Sequence, residues 1–157
     1  MQANILKIVE ELKMQPHPEG GYFVETYRSA ISVDHSGKSV ATVIYFLLPS
    51  SETSSWHRIK SDEFWFYHSG SPIIVHSIEN GNYTATVVGN DFSSGHIPQH
   101  LVRGGAIFGA SVQQPDSYSL VSCVVAPGFD FEDFELFSKE EMLELYPQLA
   151  EQINLLF

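Results

Sequence analysis

The chain has 157 residues and a formal net charge of −11, from 19 Asp and Glu against eight Lys and Arg. A nucleic-acid surface needs cations to displace phosphate counterions, so this balance argues against nucleic acid as a partner, and equally against an anionic membrane surface. Hydrophobic residues make up 43% and charged residues 17%, which excludes a disordered chain; with 13% aromatics the composition favours strands over long solvated helices.

Near the N-terminus Ile5, Ile8, Val9 and Leu12 fall at i, i+3, i+4 and i+7 with charged residues between them. This predicts an amphipathic helix over 3–14, stopped by Pro16 and Pro18. From Gly20 to about Phe137 the pattern changes to short strands separated by Gly, Pro, Ser, Asn and Asp. Strands are expected at 21–28, 40–48, 55–59, 63–67, 73–78, 83–88, 100–103, 107–112 and 118–126. Nine strands at roughly ten-residue spacing, with no helix between them, predict an antiparallel sandwich or barrel. A closing helix is expected after Ser138, where Glu141 three residues later completes a capping box ahead of Met142, Leu145, Tyr146 and Leu149. No linker divides the chain, so one domain is expected over 1–157.

Cys123 is the one cysteine and stands in an apolar run, which reads as a buried hydrophobe. A lone thiol, no basic-then-apolar N-terminus and no apolar stretch of membrane-spanning length together predict a cytoplasmic protein.

The segment from Trp56 to Gly70 carries the most information. His57, Ile59, Glu63 and Gly70 occupy the slots of a spacing pattern of His, any residue, His, three or four residues, Glu, six residues, Gly. Two strands joined by a short turn aim alternate side chains inward, so His57 and Glu63 can converge on one point. A second pattern, Pro, Gly and His, is met by Arg103, Gly105 and Phe108, with only the Gly slot kept. With His17-Pro18-Glu19-Gly20-Gly21-Tyr22-Phe23, Glu25-Thr26-Tyr27-Arg28, Trp56-His57-Arg58, Ser61-Asp62-Glu63, Ile107-Phe108-Gly109-Ala110 and Ala126-Pro127-Gly128-Phe129-Asp130-Phe131, the chain resembles a small family of cupin-superfamily proteins without an assigned activity. The resemblance covers most of residues 16–137. It implies a mainly β, double-stranded β-helix (jelly-roll) barrel with short terminal helices, often dimeric. Gly21-Tyr22-Phe23-Val24-Glu25 is also similar to a segment of the dTDP-4-dehydrorhamnose 3,5-epimerases, which are metal-free cupins. Those enzymes hold nucleotide phosphates with an arginine where this chain has Gly20, leaving Arg28 or Arg103 as candidate substitutes.

The mononuclear cupin metal takes three His and one Glu, and only His57 and Glu63 survive of that set. No cofactor is therefore expected; a divalent metal on His57 and Glu63 is the open alternative. His68 falls on the strand face opposite Glu63, and His76, His96 and His100 read as surface or turn residues. Without metal, His57 is the candidate base, with a carboxylate orienting it and raising its pKa; Glu63 is its partner, and Tyr27 or Tyr67 the acid. Two alternating stripes, Glu63-Trp65-Tyr67 and Phe23-Glu25-Tyr27, supply an aromatic pocket with a few polar groups, joined by Arg28 and Phe108. The run from Phe129 to Glu135 reads as an edge strand with Glu132 on a charged outer face, and Asp130 or Asp133 as possible partners of a histidine at the rim. The leading expectation is a metal-independent epimerase or isomerase acting on a small sugar-like molecule. The alternatives are a non-catalytic ligand-binding or sensing barrel and a divalent-metal cupin enzyme with a reduced ligand set. A homodimer is expected in each case.

Overall fold

All nine strands expected from alternation form within three residues of their expected ends in the computed structural model, which describes residues 2–157. In chain order the strands are β1 (Gln15–Pro16), β2 (Tyr22–Arg28), β3 (Ser32–Val33), β4 (Lys38–Ser39), β5 (Thr42–Pro49), β6 (Ser54–Arg58) and β7 (Asp62–Gly70). They continue as β8 (Ile73–Glu79), β9 (Asn82–Val88), β10 (Gln99–Val102), β11 (Ile107–Val112), β12 (Tyr118–Ala126) and β13 (Glu135–Leu136). Two sheets face each other, one in the order β1-β2-β5-β12-β7-β10 and the other β13-β6-β11-β8-β9, while β3 and β4 form a separate hairpin. This is the expected jelly-roll barrel.

Strict alternation puts Ser119, Val121, Cys123 and Val125 of β12 inside, where they join Phe46, Leu48, Trp65, Val75 and Phe108 in the core between the sheets. The outer sheet faces are covered by helices. Helix α1 (Gln2–Glu11) lays Ile5, Ile8 and Val9 on Tyr22, Tyr45 and Leu47 of the first sheet. It ends three residues earlier than expected, because Lys13 turns left-handed (φ 55°) and the Met14 N–H closes on the Val9 carbonyl at 2.9 Å. Helices α2 (Lys139–Leu145) and α3 (Ala150–Ile153) bury Met142, Ile153 and neighbouring Leu156 against Trp56, Ile78 and Ile107 of the second sheet. The Trp56 indole N–H donates to the Ile153 carbonyl at 3.0 Å, and the Ser138–Glu141 capping box forms as expected.

The stretch 129–135 is not an edge strand. Asp130 caps a short 3₁₀ turn over Phe131–Asp133 by accepting from the Glu132 N–H, Glu132 is exposed, and β-pairing begins only at Glu135. Among the described residues no helix is long and apolar enough to cross a membrane.

Candidate active site

Register explains the inner wall of the barrel. Across β2, β5, β12 and β7, one rung holds Glu25, Ile44, Cys123 and Trp65, and the next Arg28, Thr42, Val125 and Glu63. Between Glu25 and Tyr27 the β2–β5 pairing shifts by a β-bulge, which inserts one residue and reverses the inside–outside parity beyond it. Arg28 therefore faces the cavity, and Tyr27 is turned outward, 54% exposed. A further rung holds Phe23, Phe46, Val121 and Tyr67. There the Tyr67 hydroxyl donates to the Gly70 carbonyl at 2.6 Å, outside the cavity lining.

The resulting cavity has a volume of about 270 Å³. Of the residues expected at the site, Phe23, Glu25, Arg28, His57, Glu63 and Trp65 line it; Tyr27, Tyr67 and Phe108 do not. Phe108 lies behind the wall, its ring centroid 4.1 Å from that of His57.

Two lining residues were quoted in the sequence without a role. The turn between β1 and β2 places His17 and Glu19 over the cavity. It can do so because Gly20 has φ 114° and a Cβ there would stand 2.1 Å from the Thr53 carbonyl oxygen, so no other residue fits. The Ser55 N–H donates to the Glu19 carbonyl at 2.8 Å and the Gly21 N–H to Glu52 at 2.9 Å, docking the turn on the start of β6. Glu19 Oε2 then stands 3.0 Å from His57 Nε2, while Ser54 donates to Glu19 Oε1 at 2.9 Å. The His57 Nδ1–H donates to the Ser55 carbonyl at 2.7 Å, so both ring nitrogens are engaged. His17 Nδ1 accepts the Glu19 backbone N–H at 3.2 Å and its ring packs on Phe23. The partner of His57 is thus Glu19, where Glu63 was expected.

Burial shifts these groups toward their uncharged forms. Desolvation pushes His57 down to about 4, against the expectation that a carboxylate would raise it, and it holds Glu19 above the usual carboxylate range. Both shifts favour the uncharged forms, a Glu19 carboxyl facing Nε2, the acceptor nitrogen of an Nδ1–H ring. Glu63 is pushed up to about 8, chiefly by desolvation and then by the neighbouring Glu19 carboxyl, with a hydrogen bond from the Cys123 thiol opposing. Cys123 is buried as expected, and its thiol is held well above its ordinary value.

The donors do not fit the three-His, one-Glu centre. Ile59 and Phe108 are buried in two of its slots and offer no ligand atom. Among the described residues, no three His, Cys, Asp or Glu side chains are grouped to hold a metal ion. His68 is exposed and bonds Ser122. His76 is not at the surface: it is buried, bonded to the Tyr83 hydroxyl at 2.8 Å and the Ser111 hydroxyl at 2.9 Å, away from the cavity. Asp130 and Asp133 pair with no histidine; Asp133 takes Lys38 and, at 3.0 Å, Lys60.

The family model described as Cupin superfamily (DUF985) matches residues 6–137. The chain belongs to this family. It is 31% identical to the uncharacterized protein YML079W of Saccharomyces cerevisiae, over 90% of this chain and 79% of that one. A hypothetical protein from Leishmania major is 40% identical over 96% of this chain and 97% of its own, with a TM-score of 0.89. Protein SO0799 from Shewanella oneidensis is 40% identical over 96% and 94%, with a TM-score of 0.91. These relatives fix the fold and the family and bring no activity with them.

Proposed function

We propose that this cupin is a metal-independent proton-transfer enzyme, an isomerase or epimerase acting on a small, sugar-like carbonyl compound. The observation that carries the reading is the placing of two buried carboxyl groups in one aromatic-walled cavity, Glu19 at 3.0 Å from His57 Nε2 and Glu63 pushed up to about 8. A general base works best with a pKa near the working pH, and Glu63 meets that condition where His57, at about 4, does not. Ionised Glu63 takes the proton from the carbon next to the substrate carbonyl. The Glu19–His57 pair gives its proton to the carbonyl oxygen, leaving a neutral enol. Glu63 returns its proton to the former carbonyl carbon while the neighbouring hydroxyl gives its proton back to the Glu19–His57 pair, which completes isomerisation. If the enol turns over before Glu63 returns the proton to the first carbon, with the enol hydroxyl reprotonating the pair, the outcome is epimerisation. Neither route consumes an oxidant or reductant. A cavity of about 270 Å³ suits a ligand of monosaccharide size, at the small end of ligand pockets.

The test is deuterium incorporation from heavy water into a panel of free aldoses and ketoses. Label is expected beside the carbonyl, with Glu63→Gln lowering the rate by about 10²–10⁴-fold. Compounds that raise the melting temperature yet return unlabelled would replace this reading by the non-catalytic binding barrel. The same proposal includes a cytoplasmic homodimer, supported by the β2 edge beyond Phe23, which β1 leaves unpaired. Sedimentation is expected to give twice the 17.6 kDa chain mass.

A further inference from the structure

The cavity has one cationic lining residue that is permanently charged, Arg28, and it is already paired with a carboxylate. Its Nε and Nη2 donate to the two carboxylate oxygens of Glu25, both at 2.8 Å, and Nη2 also donates to the Phe129 carbonyl at 3.1 Å. Asp130, next to Phe129 and also lining the cavity, adds its charge to the same guanidinium. A two-point fork on the Nε–Nη2 edge takes up the side-on pair of donors that a phosphate would grip and offsets the charge that would attract it.

The same holds for the other cations around the barrel. Arg103 donates to Asp62 at 3.1 Å and Arg58 to Glu135 at 2.6 Å, so all three arginines of the chain are committed to carboxylates. Lys38 and Lys60 both serve Asp133. Among the described residues no further Lys or Arg lines the cavity, while Glu19, Glu25, Glu63 and Asp130 do. A net charge of −11 adds a long-range field of the same sign.

We infer that Glu25, aided by Asp130, is a specificity-determining residue that withholds Arg28 from anions, so that the cavity selects uncharged polar ligands and rejects phosphorylated or nucleotide-linked ones. This rests on the cavity being the ligand site and narrows the substrate to free carbonyl sugars or similar polyols. Neither Arg28 nor Arg103 then stands in for the phosphate-binding arginine of the nucleotide-sugar epimerases: the first is clamped and the second lies outside the cavity.

The experiment is titration of the whole protein with inorganic phosphate, followed by the Arg28 Nε–H resonance. In the unaltered chain phosphate is expected to leave that resonance in place. In the double variant Glu25→Gln, Asp130→Asn the freed guanidinium is expected to bind phosphate tighter by about ten-fold or more. Both substitutions keep the shape and hydrogen-bonding capacity of partly exposed side chains, and the Asn retains the turn cap. The charge-swapped Glu25→Arg, Arg28→Glu variant rebuilds the clamp and is expected to lose the gained affinity. Equal phosphate affinity in the unaltered chain and the double variant, whether both bind or neither does, overturns the inference. Deuterium labelling of free sugars is a separate readout, so the selectivity and the proton-transfer chemistry can fail independently.

Discussion

Two buried histidines stand in this barrel, and what surrounds them differs more than they do. His57 and His76 are each buried, each engaged at both ring nitrogens, and each pushed to about 4 by desolvation. His76 lies among β8, β9 and β11 beside Trp56, between two hydroxyls that have no proton to lose near neutral pH. His57 meets the titratable carboxyl of Glu19, at the wall of a cavity shared with a second carboxyl, Glu63, that is pushed up to about 8. A depressed histidine pKa alone therefore marks burial; the carboxyl partner and the cavity mark chemistry.

The comparison can be broken most severely from the cavity side. Gly20→Ala would drive a Cβ into the Thr53 carbonyl and displace Glu19 from His57. A loss of more than about 3 kcal/mol in chemical denaturation is expected, together with loss of ligand binding. His76→Ala should cost about 2–4 kcal/mol, from the cavity created and the hydroxyls left unpaired, while ligand binding at the barrel mouth stays within error. Loss of binding in that variant would erase the distinction between the two histidines.

The pH dependence sharpens it further. His76 is about 4 folded against 6.5 unfolded, so its contribution is full above 6.5 and is lost as pH falls through about 4. Glu63 runs the other way: at about 8 folded against 4.5 unfolded, its contribution is full below 4.5 and is lost as pH rises through about 8. Glu63→Gln should remove that alkaline decline, a slope of at most about 1.4 kcal/mol per pH unit, and His76→Gln should flatten the acid limb. The smallest effect is expected from Glu19→Gln. An amide keeps a donor toward His57, so a stability change within about 1 kcal/mol is expected; breaking a charged pair would instead cost about 3–5 kcal/mol.

Much of the fold was readable because alternation, turn residues and a capping box are local signals that survive without neighbours. Ser138 and Glu141, or the alternation over 118–126, need nothing from elsewhere in the chain. The site was half readable. His57 and Glu63 follow from strand spacing, whereas the bulge at Thr26 puts Arg28 in the place that alternation gave to Tyr27. An inserted residue leaves no mark in a count of alternating positions. Glu19 was missed because its role depends on docking against β6, although two glycines with positive φ directly after it were the available signal. His76 was misplaced because its burial depends on Trp56, Tyr83 and Ser111 from three other strands, which spacing within β8 does not reveal.

The central claim is the division of protons among Glu19, His57 and Glu63, and side-chain NMR titration measures it directly. With labelled glutamate carboxyls and histidine rings, Glu63 is expected to titrate near 8 while His57 stays a neutral Nδ1–H ring until the pH nears 4. A Glu63 that titrates at the ordinary carboxylate value of 4.5, or a His57 charged at neutral pH, would contradict it.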